Sequence, residues 1–175
     1  QSGIAVNGKD VDNLCLKAYK LLKRDFPSLP NVTMHLHKAI PIGGGLGGGS
    51  SDAAHVLLLL NELLNLDLDR NALHTLAEGL GSDCPFFLEP HAQLAEGRGE
   101  VLTPITLNLN GWWLALLDPG VHVSTAEVYA HTPAQPKDQD LASIVQQGPQ
   151  HWAGRLKNDM EAYVFNAYPV VGRMK

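Results

Sequence analysis

Three stretches of the chain repeat apolar residues at helical spacing. The first lies within residues 11–24, the second follows a glycine-rich segment, and the third follows Asp69, a favourable helix cap. Their apolar faces consist of Leu14, Ala18, Leu21 and Leu22, then Ala53, Val56, Leu57, Leu60 and Leu64, and finally Leu73, Leu76, Ala77 and Leu80. This spacing predicts three amphipathic helices.

Other stretches alternate apolar and polar residues, which predicts β-strands. Residues 31–38 carry an apolar face of Val32, Met34 and Leu36, and the opposite face is polar. From Cys84 onwards we expect short strands in the runs CPFFL, HAQLAEG, VLTPITL and WWLALLD, which are interrupted by Gly, Pro and Asn.

The last part of the chain is polar at first and then helical again. We expect a polar connector over residues 131–150, with a short helix beginning at Leu141. A further helix is predicted over residues 155–166, and Pro169 suits the first position of another. Helices and strands are therefore mixed without regular alternation, which favours an α+β fold over a doubly wound sheet.

The composition limits the classes of function. With 175 residues, 45% of them hydrophobic, the chain can bury a core, and its apolar runs are too short to cross a membrane. A net charge of -5 argues against a broad nucleic-acid surface, and the cysteines are limited to Cys15 and Cys84, which fits the reducing cytoplasm. His35 and His37 have no third ligand partner, so no protein-bound metal is predicted. We expect a cytoplasmic protein without a nucleic-acid or membrane partner, and a homodimer stays open.

The segment PIGGGLGGGSSDAA, from Pro41 to Ala54, carries the strongest chemical signal. Six glycines occupy residues 43–49, directly before the second predicted helix. Glycine lets backbone N–H groups approach oxygen atoms closely, and the start of a helix attracts negative charge. The segment therefore predicts a phosphate-binding loop, in which Ser50 and Ser51 either cap the helix or contact phosphate or Mg²⁺. Asp52 is expected to be a favourable charge of the first helical turn.

Other uses of glycine fit this segment less well. A flexible linker would continue with polar residues, whereas this loop joins a predicted strand to an apolar helix. A dinucleotide fingerprint fits through Gly43, Gly45 and Gly48, but another helix follows where a second strand is needed. The Walker pattern requires lysine at residue 49, which is glycine here.

Asp83 is the candidate catalytic group. It lies in the segment GLGSDCPFFL, between the third predicted helix and an apolar run. Local chemistry alone favours a turn or capping aspartate at such a position. A carboxylate beside a phosphate site can instead accept or orient the proton of an attacking alcohol, because phosphoryl transfer depends mainly on positioning and charge stabilisation.

Together the two motifs resemble those of the GHMP kinases. The nucleotide loop of that family runs from proline through a short spacer to Gly-Leu-Gly, Ser-Ser and small residues, and its catalytic aspartate lies in a G-[AS]-D-x-P-F segment. The resemblance covers nearly all of the chain and is strongest to the branch that phosphorylates a cytidine diphosphate sugar alcohol. It implies a two-layer α+β fold, ATP and Mg²⁺ as cofactors, and Asp83 as the catalytic residue.

The resemblance also implies which residues bind the two substrates. Asn13 matches a position on the adenosine side of ATP, and Lys38 matches one near adenine. Thr125 and Tyr129 match positions near the cytidine end of the acceptor, where an aromatic face can stack on cytosine. The implied loop residues are Pro41, Ile42, Gly43, Gly44, Gly45, Leu46, Gly47, Gly48, Gly49, Ser50 and Ser51.

The resemblance implies a reaction and leaves alternatives open. The reaction is ATP-dependent phosphorylation of the acceptor's 2-hydroxyl in the non-mevalonate (methylerythritol phosphate) route to isoprenoids. The alternatives are another small-molecule kinase of the family, such as a homoserine kinase, and a nucleotide-binding fragment without catalysis.

The resemblance further implies how the chain divides. Residues 1–130 would be part of the nucleotide-binding amino-terminal domain, and residues 131–175 the start of the carboxy-terminal domain. Two family features are not found in the sequence: an amino-terminal strand region with a lysine partner for the aspartate, and a carboxy-terminal glycine motif. We therefore expect the chain to be incomplete at both ends and to show little or no turnover by itself.

Overall fold

The structure, a computed structural model, describes residues 1–5, 12–41, 44–134 and 140–175. They divide into two units, Gln1–Pro104 and Ile105–Lys175. The family domain boundary expected after residue 130 is a different kind of division and stays a prediction. Helices and short strands are mixed without regular alternation, so the predicted α+β class is confirmed.

Three helices of the first unit lie where the apolar spacing predicts them. They are α1 (Leu14–Asp25), α2 (Gly48–Leu63) and α3 (Arg70–Glu78). Asp69 caps α3, because its side chain accepts a hydrogen bond from the Ala72 N–H at 2.8 Å. The apolar faces meet in a core whose most deeply buried members are Ala18, Leu22, Ala53, Leu57, Ala77 and Cys84. This core fixes α2 against its two neighbours.

The strands of the first unit are shorter than predicted. Parallel pairing joins β1 (Ser2–Gly3) to β2 (His37–Lys38), and antiparallel pairing joins β3 (Gln93–Glu96) to β4 (Val101–Pro104). Side chains along residues 32–37 alternate between half-buried and exposed, so the predicted faces are right. The hydrogen-bonded ladder covers two residues there, because among the described residues β1 alone pairs with β2.

The run CPFFL is not a strand, and that prediction is wrong. Pro85–Leu88 form a 3₁₀ turn, in which the Phe87 N–H donates to the Cys84 carbonyl at 3.2 Å. Pro85 has no N–H to give to a strand ladder, and its fixed φ suits the first position of a helical turn. The turn packs against α2 and α3.

Short helices make up the second unit. They are α4 (Thr125–His131), α5 (Leu141–Gln146), α6 (Glu161–Ala167) and α7 (Pro169–Gly172). The helix predicted over residues 155–166 begins only at Glu161, because turns occupy the residues before it. The helices beginning at Leu141 and Pro169 lie where they are predicted, α6 is shorter than predicted, and α4 is a helix that the sequence analysis did not predict.

The run WWLALLD also departs from its predicted strand. No residue of the run is part of a ladder in the described ranges, and its side chains are exposed, with Trp113 at 96% and Leu114 at 91%. A strand needs a hydrogen-bonding partner, and the described residues provide none for this run. None of the described helices has the length and apolar character needed to span a bilayer.

Candidate functional site

The glycine segment leads directly into the amino terminus of α2. The helix begins at Gly48, and Gly47 precedes it with φ of 65°, a left-handed conformation that glycine adopts without strain. The first helical hydrogen bond runs from the Ser51 N–H to the Gly47 carbonyl at 2.8 Å, and no side chain caps the helix. The N–H groups of Gly48, Gly49 and Ser50 therefore have no partner within the helix and can bind an anion.

Gly47 also contacts the 3₁₀ turn that follows Asp83. A Cβ built on Gly47 would lie 2.6 Å from Cζ of Phe87, which is closer than atoms can approach. Gly47 is thus required both for its positive φ and for its contact with the Phe87 ring. The loop and the turn that follows Asp83 are consequently neighbours in space.

The two serines after the loop do not act as helix caps, because the helix begins before them. The Ser50 hydroxyl forms a hydrogen bond with Cys84, and the Ser51 hydroxyl lies 3.5 Å from Nδ1 of His55. Burial raises the pKa of the Cys84 thiol, and the hydrogen bond from Ser50 offsets part of that rise. Ser50 therefore ties the start of α2 to the residue beside Asp83.

Asp83 itself is exposed on the turn that Cys84 anchors. Its Oδ1 lies 3.4 Å from the Ser82 hydroxyl, which donates to it, and 3.5 Å from a Cβ built on Gly99. A cavity of about 420 Å³ borders this turn, and Ser82, Arg98 and Glu100 contribute to its lining. The carboxylate is thus accessible, next to a polar cavity and on a segment bonded to the glycine helix.

The buried Lys38 and the half-buried Asp52 form an ion pair between the end of β2 and α2. The lysine Nζ contacts Oδ2 of Asp52, and the two side chains are 5% and 29% exposed. The prediction that Asp52 is a charge of the first helical turn is wrong, because α2 begins at Gly48 and its first turn contains no acidic residue. No pattern in the sequence joins these two residues, since they belong to different predicted elements.

The structure describes the other predicted nucleotide residues to different extents. Asn13 is the N-cap of α1, where its side chain accepts a hydrogen bond from the Cys15 N–H at 2.9 Å. Pro41, Gly44, Gly45 and Leu46 are exposed, while Ile42 and Gly43 lie outside the described residues. The roles of all these residues toward ATP stay predictions.

Thr125 and Tyr129, the predicted cytidine-side residues, lie on α4 of the second unit. Thr125 is the first residue of the helix, and Tyr129 is 63% exposed one turn later. Residues at this spacing lie on the same side of a helix. Their role toward the acceptor likewise stays a prediction.

Glu127 of the same helix forms a cluster that the sequence analysis missed. Its carboxylate accepts hydrogen bonds from the hydroxyls of Tyr163 and Tyr168, the latter at 3.2 Å. His131 stacks on the Tyr163 ring with 4.3 Å between centroids. The hydrogen bond from Tyr163, followed by that from Tyr168, lowers the pKa of Glu127, and Glu127 in turn raises the pKa of Tyr163 to about 12.

A protein ligand set for a metal does not occur among the described residues. No group of three or more His, Cys, Asp and Glu side chains is placed to hold an ion there. The two histidines of the residue 31–38 segment instead form hydrogen bonds with the Ser2 hydroxyl, each at 2.9 Å.

Comparison with known proteins identifies a family and several relatives. Residues 13–89 match the family described as "GHMP kinases N terminal domain". A 4-diphosphocytidyl-2-C-methyl-D-erythritol kinase from Azobacteroides pseudotrichonymphae is 44% identical over 180 residues, an alignment that covers 100% of this chain and 66% of that protein. The protein of the same name from Bacteroides fragilis is 42% identical, with 100% and 64% covered.

A solved structure gives the same result at the level of the fold. The crystal structure of 4-(cytidine 5'-diphospho)-2C-methyl-D-erythritol kinase superposes with a TM-score of 0.77 at 30% identity, covering 99% of this chain and 63% of that one. The predicted fold, which resembles that of the GHMP kinases, is therefore confirmed. The chain spans 64–66% of the length of the Azobacteroides and Bacteroides relatives.

Proposed function

Because this chain belongs to the GHMP kinase family, we propose that the protein transfers the γ-phosphoryl group of ATP to a small alcohol. The acceptor that we propose is 4-diphosphocytidyl-2-C-methyl-D-erythritol, phosphorylated on its 2-hydroxyl as a step toward isoprenoids. The names and full-chain identity of the relatives support this choice. The observation that carries the proposal is the contact between Gly47, at the uncapped start of α2, and Phe87, in the 3₁₀ turn that follows Asp83.

The described residues at the start of α2 suit the phosphates of a nucleoside triphosphate. The unpaired N–H groups at the start of α2 and the positive end of the helix suit phosphate oxygens, and glycine leaves room for them. Mg²⁺, which we expect to arrive with the nucleotide, would neutralise phosphate charge during transfer. Ser50 and Ser51 both lie in the first turn of α2, and either hydroxyl could contact phosphate or metal.

We assign the role of proton acceptor to Asp83, and the exposure of its side chain supports this assignment. In the proposed step the acceptor hydroxyl oxygen attacks the γ-phosphorus, the bond from that phosphorus to the bridging β,γ-oxygen breaks, and ADP leaves. The hydroxyl proton passes to the Asp83 carboxylate, which is exposed beside the polar cavity. Thr125 and Tyr129 would bind the cytidine end of the acceptor, with Tyr129 supplying an exposed aromatic face.

Other features of the proposal rest on the family and on composition. Asn13 would lie on the adenosine side. We place the protein in the cytoplasm, since both cysteines are free thiols. A homodimer stays a prediction without a described contact to support it.

The test is Asp83→Asn in the full-length product of the gene, assayed with Mg²⁺, ATP and the proposed acceptor. We expect transfer to fall by roughly 10²–10⁴-fold, the usual contribution of an acid–base group, while the affinity for a non-hydrolysable ATP analogue is kept. Asp25→Asn, at the exposed end of α1, is the matched control and should keep full activity. Substantial turnover by Asp83→Asn would remove Asp83 from the role.

Parallel titrations separate the alternatives. Tighter binding of NADH than of the ATP analogue would overturn the kinase proposal in favour of a dinucleotide enzyme. Phosphorylation of homoserine in preference to the cytidine compound would change the acceptor. Binding of the ATP analogue without transfer to either acceptor would identify a nucleotide-binding protein without catalysis.

A further inference from the structure

Two residues that flank the glycine segment in sequence contact each other. Lys38 is the last residue of β2, Asp52 follows the loop in α2, and their side chains form an ion pair across 14 positions of sequence. The pair therefore joins the end of β2 to the first part of α2. Joining two elements in this way removes conformations that would not bind a ligand.

The burial of this pair is unusual for a contact that serves stability alone. The Lys38 side chain is 5% exposed, and lysine is seldom withdrawn from water to that extent. Desolvation of two charges cancels much of their attraction, so apolar residues of similar size would stabilise the site about as well. A functional reason for keeping the pair is therefore worth testing.

The lysine also contacts the backbone that would face the phosphates. A Cβ built on Gly48 would lie 3.2 Å from Nζ of Lys38 and 3.2 Å from Cγ2 of Ile40. Gly48 is the first residue of α2, so the ammonium group lies against the start of the helix. Asp52 offsets the unfavourable meeting of this cation with the positive helix end.

We propose that the Lys38–Asp52 pair is a positioning device, which holds the start of α2 in the position that binds a triphosphate. This inference rests on the proposed nucleotide function. It assigns Lys38 a role at the start of α2, whereas the family resemblance implies a position near adenine. The two roles differ in a measurable way, because a residue that positions the start of α2 affects triphosphate binding and leaves adenosine binding intact.

The experiment measures the affinities of adenosine and of a Mg²⁺-bound non-hydrolysable ATP analogue by calorimetry, for wild type, Lys38→Met and Asp52→Asn. Asp52→Asn leaves the buried Lys38 charge without its partner, and Lys38→Met leaves the half-buried Asp52 charge without its partner. We expect both variants to lose roughly tenfold or more in affinity for the ATP analogue, since small misplacements of binding groups are costly, with adenosine affinity within about twofold of wild type. Lys38→Arg, which keeps the charge, should recover part of the loss.

A double variant keeps the test valid if a single variant fails to fold. Lys38→Met combined with Asp52→Leu removes both charges, so the variant should fold. It should still bind the ATP analogue weakly, because the ion pair no longer holds the start of α2 against β2. Lys175→Met is the matched control: it breaks a Lys175–Glu161 pair that also spans 14 residues, but encloses no glycine loop. Its nucleotide affinities should equal those of wild type.

Each outcome has a separate meaning. Equal losses of adenosine and ATP-analogue affinity in Lys38→Met would overturn the inference and place Lys38 at adenine. Wild-type affinity for the analogue in the double variant would overturn it as well. Failure of the wild-type protein to bind the analogue would overturn the proposed function, and the inference with it.

Discussion

Helices α2 and α4 carry the two groups of candidate ligand-binding residues, and different forces hold each helix in place. Apolar burial fixes α2, which contributes Ala53, Ala54, Leu57 and Leu60 to the buried residues of the first unit. Helix α4 contributes one buried residue, Val128, and is held mainly through the half-buried carboxylate of Glu127. The positioning of α2 should therefore depend on packing, and that of α4 on protonation.

This difference follows from the lengths of the helices. Helix α2 has 16 residues, enough for a continuous apolar side and an uncapped amino terminus that is free for a ligand. Helix α4 has 7 residues, and its Ser124 cap and Glu127 contacts compensate for the small apolar area that it can bury. A short helix gains little from propensity alone.

Leu57→Ala should give the largest loss of stability. Leu57 is fully buried, so truncation leaves a cavity and should lower the free energy of unfolding by about 2–5 kcal/mol. Leu59→Ala, on the same helix but 62% exposed, should change it by less than about 1 kcal/mol. Chemical denaturation followed by far-ultraviolet circular dichroism measures both. Equal losses would show that α2 is not held by its apolar side.

Gly47→Ala should give the next largest loss of stability. Comparison with Gly45→Ala shows which part of that loss is steric. Both glycines have positive φ, which costs alanine about 1–2 kcal/mol. Only at Gly47 would the new Cβ collide with Phe87, which should add about 1–3 kcal/mol, since no atom lies within 4 Å at Gly45. If the two variants unfold at the same denaturant concentration, the contact between loop and 3₁₀ turn is wrong.

Glu127→Gln should have a smaller effect that depends on pH. The folded protein lowers the pKa of Glu127 from its ordinary 4.5, so the carboxylate stabilises the fold above that pH and the gain is lost as the pH falls through the folded-state value. The melting temperatures of wild type and variant should converge in acid. Tryptophan fluorescence is a suitable probe, because Trp112, Trp113 and Trp152 all lie in the second unit.

A matched control for this pH dependence is Glu161→Gln, which removes a carboxylate of the same unit that pairs with Lys175 and leaves the tyrosines untouched. Its melting temperature should retain the wild-type acid profile. A constant difference between wild type and Glu127→Gln at all pH values would argue against the charge of Glu127 as the source of the effect.

The smallest effect is spectroscopic and concerns Tyr163. The hydrogen bond to Glu127 is the main cause that raises its pKa from 10.0 to about 12, so the neutral phenol stabilises the fold below pH 10 and the gain is lost as the pH rises through 12. Phenolate absorbance should therefore show late titration of Tyr163, together with Tyr168, whose pKa burial and the bond to Glu127 also raise. In Glu127→Gln that transition should shift toward lower pH, and an unchanged titration would disprove the contact.

Local patterns in the sequence were sufficient to predict much of the first unit and to name the candidate residues of its site. Apolar spacing predicted α1, α2 and α3, and Asp69 was a recognisable cap. The glycine segment and Asp83 could be identified as candidate chemistry from residue type and order alone. These features are readable because each depends on neighbours within a few positions along the chain.

The tertiary structure decided how those pieces meet. Contacts between Lys38 and Asp52, between Ser50 and Cys84, and between Glu127 and its two tyrosines join residues 14, 34, 36 and 41 positions apart. No spacing rule relates such residues, because their distance is set by the packing of the helices that carry them. The sequence by itself determined which groups could bind phosphate or accept a proton, and only packing decided that the loop and the Asp83 turn would lie side by side.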